Sequence, residues 1–455
     1  MLLRPALLAS AFVVGGCMTV LDHPAPPSMN ASAAFSATLP ASGADSATAA
    51  QPDWWHRAVP EPVYTALEHD LAANPDLHKA AADVDAARAL WRQSQADAGP
   101  RLELSAGASV QHAADRSTDG RFLGMDGGLP IDVSGALARR TDAARQALRA
   151  SSADAARLRS DLARDYLIAL IDGAEASRRQ ALLLRQIDLA ATLLHLIELR
   201  FTQGLVSSVD VLQQRDQLAA LRQQLPLAQL DELRAANQLR LIGARTPNLA
   251  SPLLVEPLPQ VSGLFDTVVP IDLLERRPAL RASRARLAAA DARFAAALAD
   301  RWPTLQLSGV ALTRALSGDV STILGVALDG ALTLFDSGSK LEIAAERRAR
   351  LVAAGQQYLS DWLAAVIEVD NLIHEEASLR EQINLSEQRL DNAQALLIAA
   401  QRRYEQGVSD YLPVLEALRG MQQQQRDRLA LQADLARTRV RLHRALGSPL
   451  AEDQA

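Results

Sequence analysis

Arg200-Phe201-Thr202-Gln203-Gly204-Leu205-Val206-Ser207-Ser208-Val209-Asp210-Val211-Leu212 decides how this chain reads. It recurs as Arg403-Tyr404-Glu405-Gln406-Gly407-Val408-Ser409-Asp410-Tyr411-Leu412-Pro413-Val414-Leu415. In each copy a long helical pattern runs into Gln, a Gly supplies a left-handed cap, and a Ser or Asp a few residues on can cap a helix running back. The pattern predicts the tip of a helical hairpin, built twice. Gly407 follows Gly204 by 203 residues, and the same offset relates Asn74-Pro75-Asp76-Leu77 to Arg277-Pro278-Ala279-Leu280, Pro100 to Pro303, and Gly135 to Gly338. A period this long exceeds any solenoid repeat and marks a duplicated half.

Outward from the tips, Ala136 to Gln203 and Ser339 to Gln406 contain no Pro and keep a helical pattern. Each would extend about 100 Å at ~1.5 Å per residue, longer than an ordinary globular core. Leu183, Ile187, Ala190, Leu194, Ile197 and Phe201 follow alternating spacings of four and three, as do Leu379, Ile383, Ser386, Leu390, Ala393, Leu397, Ala400 and Tyr404. Such spacing predicts a coiled-coil seam. Return helices are expected from about Ser207 to Gly243, kinked at Pro226, and from about Ser409 to Leu446.

Behind each long helix the period changes to two. Leu102, Leu104, Ala106, Ala108 and Val110 share a face opposite Arg101, Glu103, Ser105, Ser109 and Gln111. After a turn at Ala114 to Gly120, a second strand places Leu123, Met125, Leu129, Ile131 and Val133 against Asp126 and Asp132. Thr304 to Leu316 and Thr322 to Phe335 repeat the hairpin around Ser317-Gly318-Asp319. Apolar-out, polar-in strands of this length fit a transmembrane β-barrel, and equally a soluble hairpin packed on helices. Four strands are too few to close a barrel, and an open edge in lipid leaves backbone groups unpaired, so a spanning barrel has to be shared among subunits.

Composition narrows the classes. A net charge of -6 argues against nucleic-acid binding, and aromatic residues make up only 4%. The eight histidines fall into no HExxH or paired Cys/His spacing, no Gly-rich phosphate loop or Gly-x-Ser-x-Gly elbow occurs, and His374-Glu375-Glu376 reads as solvated surface. No catalytic residue, metal site or cofactor is expected, and the chain is not read as an enzyme. At the N-terminus, Arg4 and the apolar run Ala6 to Val14 form a signal-peptide pattern too short to span a bilayer, ending at Val14-Gly15-Gly16-Cys17. Cys17 is the sole cysteine, and the stretch resembles a bacterial lipobox, which would make Cys17 the acylated first residue of the mature chain. The expected organisation is a signal peptide (1–16), a lipid-anchored extended leader (17–60) with Trp54-Trp55 as packing aromatics, a first repeat (61–245), a Pro-rich connector (246–272), a second repeat (273–447) and a tail (448–455).

Taken together, the chain resembles the TolC-like outer-membrane efflux proteins, and most closely their lipoprotein branch serving resistance-nodulation-division pumps. Leu273-Leu274-Glu275-Arg276-Arg277-Pro278, Arg403-Tyr404-Glu405-Gln406-Gly407 and Leu332-Thr333-Leu334-Phe335-Asp336-Ser337-Gly338 carry the resemblance. The first junction, Leu129 to Gly135, lacks the Trp and Phe common there, and Ala279 replaces a usual Asp. The resemblance implies an α+β membrane protein. Three chains would give four strands each to one twelve-stranded β-barrel, continued by a long α-helical coiled-coil tunnel in the periplasm. It implies outer-membrane localisation and three kinds of partner: two further copies, a periplasmic adaptor, and an inner-membrane efflux transporter. Adaptor contact falls on the tips, at Gly204, Val206, Ser207, Gly407, Val408 and Ser409. A periplasmic gate falls on Leu412, Glu416 and Arg419, where a Leu ring plugs the tunnel and Glu416-Arg419 pairs latch neighbouring subunits, with Asp410 as a cation-attracting ring. From the residues alone, the same positions read as a solvated helical face. An exit duct for type I protein secretion and a soluble coiled-coil scaffold are the competing functions.

Overall fold

A computed structural model describes residues 22–25, 35–36, 55–113, 116–247, 261, 270–316, 319–333 and 335–447. Cys17 and its lipobox, Trp54, and nearly all of the leader and connector lie outside the described residues.

In the first half α1 (Trp55–Ala58), α2 (Glu61–Ala72) and α3 (Pro75–Asp97) lead into β1 (Arg101–Ala113) and β2 (Arg116–Ile131), then α4 (Ala136–Thr202) and α5 (Ser208–Ile242). The second half repeats this as α6 (Leu273–Arg276), α7 (Pro278–Ala299), β3 (Thr304–Leu316), β4 (Asp319–Ala331), α8 (Ser339–Glu405) and α9 (Leu412–Leu446). Both long helices have 67 residues. Each begins behind a glycine at positive φ, 76° at Gly135 and 85° at Gly338, where a side chain would strain the entering turn. Helix α5 runs unbroken through Pro226.

These elements divide into two compact units. The first holds 98–140 and 290–355 with the sheet. Its four strands are antiparallel in the order β1-β2-β3-β4, so β2 and β3 join the two hairpins, while β1 and β4 have no partner on their outer edges among the described residues. Several strand limits differ from expectation: β4 starts at Asp319, inside the expected turn, and not at Thr322. Residues 116–120 belong to β2, because they continue the ladder from Ala113↔Arg116 to Ser109↔Gly120. Strand β4 ends at Ala331, leaving Leu332 and Phe335 beyond the ladder as exposed residues before the Asp336 cap. In the first half, Val133 likewise lies past the end of β2. The alternation places Leu102, Leu104, Leu123, Met125, Leu324, Val326 and Leu328 on one face, and nothing among the described residues covers it: Leu102 is 70% and Val326 81% exposed.

The second unit is helical. Two cores related by the duplication sit in it, one around Trp55, Leu67, Leu167, Ile171 and Leu239, the other around Leu273, Leu280, Trp362, Val369 and Leu442. Leu239 and Leu442 are equivalent positions, 203 residues apart. Helix α9 carries a row of arginines into carboxylates of the long helices. Arg437 binds Asp172 at 2.7 Å and also Glu175, Arg439 binds Glu376 at 3.0 Å, and Arg444 binds Asp161 at 2.6 Å. His374-Glu375-Glu376 is therefore not simply solvated: Glu376 is buried between Arg439 and Arg380, because burial of a carboxylate requires such partners. Both seams are buried or partly buried along their length, except that Phe201 emerges at the tip.

Candidate functional site

Both hairpins turn by the same Schellman motif. At the first, Gly204 (φ 71°) donates to Phe201 O at 2.9 Å and Leu205 to Arg200 O at 2.9 Å. At the second, Gly407 (φ 70°) donates to Tyr404 O at 3.0 Å and Val408 to Arg403 O at 2.9 Å. These pairs satisfy the last carbonyls of each long helix and require φ to be positive at the Gly.

The return helices start differently. Ser207 and Asp210 form a reciprocal capping box, the Ser hydroxyl accepting from Asp210 N at 3.2 Å and Asp210 Oδ2 accepting from Ser207 N at 2.9 Å. The equivalent positions are Asp410 and Pro413, and Pro has no N–H to offer. Asp410 therefore does not cap. Helix α9 starts only at Leu412, with Tyr411 as an N-cap lacking a side-chain bond, and the Asp410 carboxylate is left exposed beside it.

Side chains at the tips sort into two sets. Gly204, Ser207, Gly407 and Val408 are exposed, while Val206 and Ser409 are partly buried. Val206 packs on a core of Ile197, Val211, Ala400, Tyr411, Val414 and Leu415 that joins the two hairpins. Leu205, Val209 and Leu212, not singled out from sequence, add exposed apolar surface to the first tip.

The gate residues are brought to one end of α9 but not to one another. Leu412 and Glu416 are exposed, and Glu416 makes no side-chain hydrogen bond or ion pair among the described residues. Arg419 turns to α5, its Nε donating to Gln217 Oε1 at 2.6 Å and its guanidinium lying 3.4 Å from Asp216 Oδ2. Gln217 in turn donates to Gln422 at 3.1 Å. A second chain of contacts links the hairpins nearer the tip. Tyr411 donates to Gln214 at 2.9 Å, and Gln214 donates to Ala190 O at 2.8 Å. The Tyr411 ring meets that of Tyr404 edge-on at 5.7 Å. Burial pushes the Tyr411 phenol up to about 12 and raises that of Tyr404 as well. Gln214, Asp216 and Gln217 escaped the sequence reading because their partners lie about 200 positions away, beyond any local pattern.

The pattern of the family described as "Outer membrane efflux protein" matches residues 66–244 and again 269–448, starting 203 residues apart like the hairpins themselves. The chain belongs to this family. The toluene efflux pump outer membrane protein TtgF of Pseudomonas putida is 28% identical over 416 residues, 85% of this chain and 82% of that protein. Outer membrane protein OprJ of Pseudomonas aeruginosa is 29% identical over 409 residues, 81% and 80% of the two chains. The fold matches the Campylobacter jejuni CmeC outer membrane channel with a TM-score of 0.83 at 18% identity, covering 95% of this chain and 96% of that one. This efflux protein is an outer-membrane exit duct of a pump, and no described helix is long and apolar enough to cross a membrane.

Proposed function

We propose that three copies of this efflux protein close one twelve-stranded barrel in the outer membrane and extend their helices as a periplasmic tunnel. The observation that carries this reading is the sheet. One face is apolar and uncovered, and both edge strands lack a partner, an arrangement that is unstable in lipid unless neighbouring chains pair with β1 and β4. Twelve strands fall within the size range of closed barrels.

The chain is anchored through lipidated Cys17, with a leader reaching the helical unit. Its tips, at Gly204, Val206, Ser207, Gly407, Val408 and Ser409, dock a periplasmic adaptor that connects the tunnel to an inner-membrane transporter. Leu412, Glu416, Arg419 and Asp410 form the gate. Arg419 is tied to Gln217 and Asp216 of its own chain, which leaves exposed Glu416 free to face a neighbouring copy in the trimer. The duct is passive. It holds no cofactor and catalyses nothing, so the transporter supplies the energy. Small organic molecules are the cargo, a reading supported by the toluene named for TtgF.

In-cell crosslinking from a photoreactive residue at Ser409, followed by mass spectrometry, tests the partner assignment. An adduct with a periplasmic adaptor is expected. Adducts only with copies of this chain would overturn the docking role.

A further inference from the structure

Within the helical unit the two hairpins meet through α4 and α9. Arg437 binds Asp172 at 2.7 Å, Arg426 donates to Gln186 at 2.9 Å, Arg444 binds Asp161 at 2.6 Å, and Ala433 and Ala436 are buried in a core shared with α4. Shifting each residue by the 203-residue offset carries α4 onto α8 and α9 onto α5, and so names a second contact, of α5 with α8. Its members are exposed. Arg234 stands for Arg437 and Glu375 for Asp172, Gln223 for Arg426 and Arg389 for Gln186, Leu241 for Arg444 and Ala364 for Asp161.

Complementarity survives each of these exchanges. Arginine against acid is kept, arginine against glutamine becomes glutamine against arginine, and arginine against aspartate becomes leucine against alanine. A change on one side alone would leave a charge without its partner, so matched changes on two separate helices mark surfaces in contact. Where α9 buries Ala433 and Ala436, α5 exposes Leu230 and Leu233, apolar surface that needs a cover. At the tips, the stacking of Arg200 on Tyr404 becomes Arg403 with Phe201, both exposed, which gives the ring that leaves the seam a cation to meet. In its own chain Glu375 takes Thr438 at 2.7 Å and Arg441 at 3.8 Å through Oε1, and its Oε2 has no partner among the described residues. One level is less well matched: Gln425, which accepts from Gln186 at 3.1 Å, is replaced by Arg222, so Arg389 meets a second guanidinium there.

We infer that α5 of one copy packs on α8 of a neighbouring copy in the register of the α9–α4 contact, so that Arg234 meets Glu375 and Phe201 meets Arg403 of that copy. The inference rests on the trimer proposed above. The tunnel wall is then closed by one kind of contact, used alternately within and between chains.

Heat dissociation of the detergent-solubilised trimer, followed on native gels, tests the register. Arg234→Glu and Glu375→Arg should each lower the midpoint by about 2–4 °C, and the double variant should recover it. If the reversals give no folded chain, the exposed position 223 decides: Gln223→Glu, facing Arg389 and beside Arg222, should raise the midpoint, and Gln223→Lys should lower it. Arg234→Cys combined with Glu375→Cys, treated with a short bismaleimide, should give covalent dimers and trimers on denaturing gels, with each single variant running as monomer. A double reversal no more stable than the single ones, Gln223→Glu no more stable than Gln223→Lys, or crosslinking confined to single chains would overturn the register. A wild-type chain that is monomeric in detergent is a different result: it overturns the shared barrel, and the register with it.

Discussion

Arg200 and Tyr404 stand on different hairpins, yet the Arg200 guanidinium lies 4.9 Å from the centroid of the Tyr404 ring and donates to its hydroxyl at 2.9 Å. Both belong to the duplicated tip motif, so the two halves are fastened at the point where the helices turn. A cation over a partly buried ring contributes about 1 kcal/mol. Arg200→Ala should loosen the paired tips and lengthen the open time of single channels, with Arg200→Lys intermediate. Unchanged open times in both variants would show that the contact does not restrain the gate.

Arg419 offers a choice between two latches. If its tie to Asp216 and Gln217 holds the tunnel closed, Gln217→Ala and Arg419→Ala should raise conductance alike, with Glu416→Ala near wild type. If the pairing between subunits dominates, Glu416→Ala should match Arg419→Ala. Planar-bilayer conductance of the three variants separates the cases, and the double variant Glu416→Ala, Arg419→Ala should exceed the wild type in either.

Gly407 has open space where a Cβ would go, so a substitution there is felt through the backbone. Holding an alanine in the left-handed region costs roughly 1–2 kcal/mol. Gly407→Ala should reduce crosslinking from Ser409 to the adaptor while leaving trimer yield unchanged. Equal crosslinking would show that the turn tolerates the change.

Tyr411 links tip stability to alkaline pH. Its folded-state pKa is raised to about 12 against 10.0 for the free phenol. The neutral form is therefore favoured by folding, and its contribution is complete below pH ~10 and lost as the pH rises toward ~12. A titration followed by tyrosinate absorbance should show a late step that shrinks in Tyr411→Phe. Tyr166, similarly raised by burial, should remain in that step.

Arg277 is buried, donating to Ala365 O at 3.2 Å and to Glu368 at 2.5 Å, and burial lowers its pKa. Arg277→Ala should destabilise the helical unit by about 2 kcal/mol, less than a fully buried pair would lose, because Glu368 keeps Arg444 at 3.1 Å. Thermal unfolding in detergent reads the change. A melting temperature equal to that of the wild type would assign this arginine no structural role.

Much of this was legible because the chain states it twice. The Gly204 and Gly407 caps, the limits of both long helices and the seams follow from local rules of helix ending and heptad spacing. Strand limits were less legible, since residues 116–120 combine turn-prone composition with a place in the ladder that only the partner strand reveals. A Ser or Asp cap was legible at both tips from residue type, whereas at the second Pro413 removes the N–H that a capping box would use. Gly107 and Phe122 are 15 positions apart in sequence, and their pairing shows only once the register of β1 and β2 is known.

By itself, then, the sequence determined the duplication, the helical hairpins with their glycine tips, and the alternating strands, since each depends on neighbours a few residues away. Tertiary structure decided which residues meet: Arg419 with Gln217, Arg200 with Tyr404, Phe122 over Gly107. Those contacts join positions brought together by antiparallel pairing and helix packing, and no local period encodes which of several equivalent side chains will face one another.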